Sequence, residues 1–320
     1  MHLHSLYGLT VAAAESLPGC RPAATDAAVD VTIRWGAPLD GNDAVLDGEL
    51  LLTYGTTRPW YCAGRTREGG YVLRYHGSCD FLISPDLATV EVRTVAGSDR
   101  GIATILTTGG LLAFLLYVRG ATVLHASAVQ VGDAALAFVG YSGRGKSTMA
   151  TLMCADGATV ITDDVLRIDG GAADGRPLAR LGKTEFRLRK GADTLLGQFG
   201  AGGPDGGRAR PDVRISADER TVLHLGDGAS DHLPLAAIVI PTPMRDGSPL
   251  SIDPMPKTEA LHALLNMPRI QGWQDAAVIT RHFGQLATLV QQVPVLSARI
   301  PWGPPFDPGI AAAVRAAAGL

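Results

Sequence analysis

The sequence predicts an α/β fold in which a mixed sheet with flanking helices follows a small β-rich N-terminal module. Three observations predict it. Between Ala134 and Ile168 an apolar run leads into a glycine-rich loop, then a run of helical composition, then a second apolar run. The first hundred residues instead alternate short apolar runs with turn residues. Helical patterns and a last apolar strand follow between Lys257 and Ile300. A chain of 320 residues suits one large domain or two modest ones. We place the boundary near residue 100, with the module at 1–100 and the α/β domain at 101–320.

In the module, Val31-Thr32-Ile33, Leu50 to Tyr54, Tyr71 to Tyr75 and Val90-Glu91-Val92 read as strands. Asp40-Gly41 and Glu68-Gly69-Gly70 read as hairpin-type breaks between them. Gly101 to Gly120 reads as a buried helix. Its apolar core, Ile102 to Val118, is interrupted by Thr104, Thr107, Thr108, Gly109 and Gly110, whereas a membrane span needs about 20 apolar residues. Ala121 to Val131 and Ala134 to Val139 are strands joined by the tight turn Gly132-Asp133. Lys146 to Ala155 is helical and stops at Asp156-Gly157, and Ala158 to Ile168 is the next strand. Gly197 to Gly207 reads as a glycine-rich lid or substrate loop. Ala236 to Pro241 is a buried strand, Lys257 to Asn266 and Phe283 to Gln292 are helices, and Val293 to Ile300 is the final strand. No internal repeat is found.

Composition excludes several classes. With 46% hydrophobic and 18% charged residues, the chain is an ordinary folded protein. A net charge of −3 gives no general attraction to nucleic acid or to an anionic membrane, so neither is expected as a partner. Cys20, Cys62, Cys79 and Cys154 lack metal or redox spacing, and Met1-His2-Leu3-His4 lacks the pattern of a signal peptide. A reduced, cytoplasmic protein is the expectation, with a homo-oligomer left open. The stretch from Arg176 to Arg220 is dense in Arg and Lys, including Arg208, Arg210 and Arg214. Such charges form a solvated face more often than a surface for phosphate or acidic peptide. Trp60-Tyr61 and Trp273 read as packing groups, and His224, His232, His262 and His282 show no metal spacing.

The informative motif is Gly140-Tyr141-Ser142-Gly143-Arg144-Gly145-Lys146-Ser147, which matches Gly-x4-Gly-Lys-Ser at each position. Its glycines let successive backbone N–H groups turn inward on a phosphate, and the following helix presents its positive end to the same anion. Lys146 is expected to bridge the outer phosphates of a nucleoside triphosphate, and Ser147 to ligate magnesium. Ser142, Gly143, Arg144, Gly145 and Thr148 complete the expected nucleotide-binding set. Downstream, Asp163 and Asp164 end an apolar strand. Adjacent strand residues face opposite sides, so one carboxylate is expected at the magnesium and the other at an acceptor hydroxyl. His125, between Leu124 and Ala126, is either a hydrogen-bonded core side chain or a group that orients one of those carboxylates.

Leu124-His125-Ala126-Ser127-Ala128, the loop from Gly140 to Ser147, and Thr162-Asp163-Asp164-Val165 together resemble the HPr kinase/phosphorylase superfamily. The nearest likeness is to its divergent members that act as lasso-peptide kinases. That resemblance implies a P-loop core of the HPr kinase/PEP carboxykinase-like type, with ATP and Mg2+ as cofactors. It implies catalytic roles for Lys146, Asp163, Asp164 and His125, with one Asp as general base and His125 positioning the pair. Glu185-Phe186-Arg187 resembles the family's Glu-Ile-Arg segment, which implies a metal set of Ser147, Asp164 and Glu185, and Arg187 on the phosphate. The implied reaction transfers the γ-phosphoryl group to a serine hydroxyl of a peptide or protein, a ribosomally made precursor peptide. Thr148 stands where the true HPr kinases carry an acidic residue, and their C-terminal HPr-binding helix is not found. The resemblance therefore does not extend to HPr as acceptor. A small-molecule kinase and a nucleotide-gated peptide-binding ATPase are the rival readings.

Overall fold

The computed structural model describes residues 1–57, 59–171, 175–188, 193–199, 211–226 and 229–320. Two compact units share the chain. One holds residues 1–120 with 270–282, the other 121–269 with 283–320. The helix after residue 100 thus groups with the N-terminal strands.

The first unit is a sheet built from β1 (His2–Leu6), β2 (Leu9–Ala13), β3 (Arg21–Pro22), β4 (Val31–Trp35), β5 (Glu49–Gly55), β6 (Pro59–Arg65), β7 (Tyr71–Tyr75), β8 (Cys79–Ile83) and β9 (Thr89–Thr94). Its order is β3-β1-β2-β4-β9-β8-β7-β6-β5. Glu68 to Gly70 turns between the antiparallel β6 and β7, as expected, and Gly69 adopts φ +85° there. Asp40-Gly41 is no hairpin turn, because β4 lies between β2 and β9, parallel to both, and β5 pairs with β6. The helix comprises α1 (Arg100–Leu106), a π-helical turn at Thr107–Leu111, and α2 (Leu112–Val118). Among the described residues, this is the one helix long and apolar enough to cross a membrane, and 61% of its apolar window is buried in the structure. Leu111 to Tyr117 are buried all round, Phe114 stacks on Trp273, and the Tyr7 hydroxyl donates to the Thr108 carbonyl. A helix apolar on every side belongs inside a core or a bilayer, and here it fills a core.

The second unit contains β10 (Thr122–Leu124), β11 (Ala126–Val131), β12 (Ala134–Val139), α3 (Lys146–Ala155), β13 (Thr159–Thr162), β14 (Leu166–Asp169), β15 (Leu178–Arg180), β16 (Glu185–Leu188), β17 (Asp212–Ile215), β18 (Thr221–His224), β19 (His232–Met244), β20 (Ser251–Pro254), α4 (Lys257–Leu265), α5 (Ala276–Gln292), β21 (Val295–Pro301) and α6 (Gly309–Ala318). Helix α5 begins in the first unit and ends in the second. Its start at Ala276, and α6, were not expected from the sequence. The large sheet is mixed: β12 runs antiparallel to β11 and parallel to β19, which is parallel to β21. Alternation along β12 divides the core. Leu136 and Phe138 pack with α3 and α6 on one face, while Ala135, Ala137 and Val139 pack with α4 and α5 on the other. Burying a side chain such as Phe138 contributes roughly 1.5–3 kcal/mol.

Two expected strands are interrupted. The run 121–131 breaks at His125, and the run 158–168 breaks at Asp163 to Val165. The breaks lie opposite one another. Leu124 pairs with Leu166 and Ala128 with Thr162, so one antiparallel register continues across an opening that holds residues 125–127 and 163–165. The residues at 200–207 of the expected glycine-rich loop lie outside the described residues, as do Arg208 and Arg210.

Candidate active site

The loop Gly140–Gly145 joins the end of β12 to the start of α3. Tyr141, Ser142, Gly143 and Arg144 are exposed. Gly143 (φ +81°) and Gly145 (φ +89°) take left-handed backbone that other residues adopt at a cost. Gly145 is constrained twice, because a Cβ there would overlap the Trp302 indole. Gly145 also caps α3 without a side-chain bond, and no acidic residue sits in the first helical turn. The helix therefore supplies no capping side chain of its own to the amide groups of that turn. Lys146 is buried and its Nζ donates to the carbonyls of Gly140 (2.9 Å) and Tyr141 (3.2 Å), so the ammonium lies inside the loop's curve. Thr148, in the same turn, is half-buried. Ten residues of helix, an exposed glycine loop and a cation suit a polyphosphate.

The opening in the antiparallel ladder lies beside this loop. Asp163, 6% exposed, accepts from the Ser147 hydroxyl at 2.8 Å and the Ser127 hydroxyl at 2.5 Å through Oδ1, and from the Arg187 amide at 3.1 Å through Oδ2. Buried carboxylates need such satisfaction, because an unpaired one costs several kcal/mol. The Asp163 amide donates to the Lys183 carbonyl, replacing the ladder bond lost at the break.

Asp164 faces a different set. Its Oδ1 lies 3.4 Å from His125 Nε2, and its Oδ2 accepts from Arg269 Nη2 at 2.5 Å. The backbone of Asp164 is left-handed (φ 77°), a conformation aspartate tolerates better than most residues. Burial opposes its charge, but the Arg269 guanidinium and the His125 hydrogen bond outweigh that and hold the carboxyl well below the usual range. Burial likewise pushes the His125 imidazole down, against the hydrogen bond with Asp164. A neutral imidazole donating from Nε2 to an ionised carboxylate satisfies both shifts.

The two carboxylates thus have different hydrogen-bond partners, and the strand break rather than the pleat separates them. The expected metal set is not assembled: Asp163, not Asp164, adjoins Ser147. Among the described residues no cluster of three or more His, Cys, Asp or Glu side chains forms a metal cage. Glu185 pairs with Arg214 (2.7 Å) and Lys183 (3.5 Å), because β16 turns Phe186 and Leu188 into the core and leaves Glu185 and Arg187 on the opposite face. The Arg187 side chain pairs with Asp218, so its link to the opening is its main-chain N–H. Ser127 and Arg269 were missed. Ser127 lies two residues after His125, a spacing that signals a shared strand face. Arg269 follows α4, 105 residues beyond its partner, and carries no local signal.

No family model matches the chain, and no curated protein matches it. Among solved structures, the Hpr(Ser) kinase/phosphatase from Coxiella burnetii is similar over 61% of this chain and 94% of its own, at 10% identity and a TM-score of 0.31.

Proposed function

We propose that this chain is an ATP- and Mg2+-dependent kinase of the HPr-kinase-like type that phosphorylates a serine hydroxyl of a peptide or protein. One observation carries the reading. Two adjacent carboxylates beside a Gly-x4-Gly-Lys-Ser loop are assigned to different partners, Asp163 to the loop's Ser147 and Asp164 to His125 and Arg269. Phosphoryl transfer requires this division, since one acid must serve the metal and another the nucleophile.

Bound MgATP would supply the transferable phosphoryl group and the metal charge that stabilises it. The chain's own residues hold and orient the reactants. The loop amides from Ser142 to Thr148 and the start of α3 bind the phosphates, and Lys146 turns from the Gly140 and Tyr141 carbonyls towards them. Ser147 and Asp163 offer hard oxygen ligands suited to magnesium. Asp164 accepts the proton of the serine hydroxyl, and His125 fixes the carboxylate's orientation from Nε2. Glu185 and Arg187 support the site through β16.

The resemblance of the Leu124 to Ala128 segment to lasso-peptide kinases nominates a ribosomally made precursor peptide as the acceptor, in the cytoplasm. The test incubates the purified chain with MgATP and candidate serine-containing precursor peptides. Mass spectrometry should show a gain of one phosphate on a serine, abolished by Lys146→Ala. Phosphate release with no phosphorylated product would replace the kinase by an ATPase. Failure of the wild-type chain to bind any nucleotide would end the proposal.

A further inference from the structure

We infer that Arg269 is the residue that distinguishes a nucleoside triphosphate from a diphosphate, releasing Asp164 as it engages the terminal phosphate. The inference rests on the nucleotide site proposed above and adds a residue to it.

Arg269 enters from the segment after α4 and places Nη2 2.5 Å from Asp164 Oδ2, with only 18% of its side chain exposed. Asp164 follows Asp163, and Asp163 is hydrogen-bonded to Ser147 in the first turn of α3. The guanidinium is therefore bonded to the residue that follows, in sequence, the carboxylate bordering the phosphate loop. Lys146, on the other side, is held on the Gly140 and Tyr141 carbonyls. His125 Nε2 lies 3.4 Å from the other oxygen of Asp164, so His125 and Arg269 hold one carboxylate from two sides.

Guanidinium groups bind carboxylate and phosphate through the same planar fork, so one can exchange for the other with little change of geometry. With no nucleotide, Arg269 neutralises Asp164. A terminal phosphate on the loop introduces a competing, more highly charged anion. As Arg269 moves its hydrogen bonds to that anion, Asp164 keeps its contact with His125. A diphosphate leaves Arg269 on Asp164, so the arginine's position reports the terminal phosphate. No covalent bond changes in this step; hydrogen bonds to one carboxylate are replaced by hydrogen bonds to one phosphate.

The test measures binding of Mg-ADP and of a non-hydrolysable Mg-ATP analogue by calorimetry to wild type, Arg269→Gln and Arg269→Lys, each checked by thermal melting. Wild type should favour the triphosphate. Arg269→Gln should lose about tenfold or more of that preference while Mg-ADP affinity stays within about twofold. Arg269→Lys, which keeps the charge but not the fork, should lose less and stay folded if the Gln variant does not. An unchanged preference in both variants overturns the role of Arg269 and leaves the nucleotide site standing. No binding of either nucleotide to wild type removes the site itself and the inference with it.

Discussion

Ser147 and Asp163 are joined by a 2.8 Å hydrogen bond between the first turn of α3 and the break after β13. The serine hydroxyl donates to Oδ1 of a carboxylate that is almost fully buried, and Ser127 donates to the same oxygen. A divalent cation replacing the two hydroxyl protons as the positive partner of that oxygen needs no new ligand from this strand.

Asp163→Asn separates the carboxylate's charge from its hydrogen bonding. An amide can accept from the Arg187 N–H through oxygen and donate to the two serine hydroxyls, which accept equally well. Stability should therefore fall by no more than about 1 kcal/mol. The magnesium dependence of nucleotide binding should fall at least about tenfold. Titrating nucleotide with and without magnesium tests this, and an unaltered magnesium effect would remove Asp163 from the metal.

Asp164→Asn should lower turnover by about 10²–10⁴-fold with nucleotide binding retained, since the loss is of a proton acceptor and not of a phosphate contact. The variant also leaves Arg269 without its carboxylate charge. That costs less than the roughly 3–5 kcal/mol of a fully buried pair, because the Asp164 side chain is 37% exposed. Single-turnover kinetics beside a melt separate these effects. Full turnover would exclude Asp164 as the base.

Local chemistry made part of this site legible. The loop, the helix after it and the Asp pair are close in sequence, and the strand-to-helix transition at Gly145–Lys146 follows from glycine placement alone. The separation of Asp163 from Asp164 was expected from strand parity, yet it arises from paired breaks that no periodicity of apolar residues records. Apolar residues flank the break on both sides, from Ala158 to Ile161 and from Val165 to Ile168, so the whole run reads as one strand. Glu185 was expected at the metal, but its ion pair with Arg214 depends on β16, β17 and β18 meeting, which is a long-range outcome. Arg269 was illegible for the same reason: its partner is defined by the packing of α4, not by its neighbours.

Gly145→Ala should damage stability and nucleotide binding together. The positive φ costs a non-glycine residue about 1–2 kcal/mol, and the new methyl meets the Trp302 ring, which packs edge-on against Phe306. Adding Trp302→Ala removes the overlap but not the backbone strain, so the double variant should regain only part of the loss. Chemical denaturation of wild type and both variants checks this. A Gly145→Ala variant as stable as wild type would mean that the loop's backbone is not as described.

His282 should make the first unit sensitive to mild acid. It lies in α5 with its ring edge-on to Tyr117 at 5.1 Å, and neither ring nitrogen has a hydrogen-bond partner. Burial pushes its pKa from 6.5 down to about 4. Between those values the unfolded chain binds a proton that the native chain does not, so stability rises with pH across this window and is lost as pH falls through it. At pH 5 the penalty is about 2 kcal/mol. His282→Phe keeps a ring against Tyr117 and removes the proton site. It should match or exceed wild type at pH 7 and gain about 2 kcal/mol more at pH 5. His4, in β1 of the same unit, is also pushed down by burial and leaves a residual slope. Melts of both proteins from pH 7 to about pH 4.5 decide the matter, and parallel pH profiles would clear His282 of the effect.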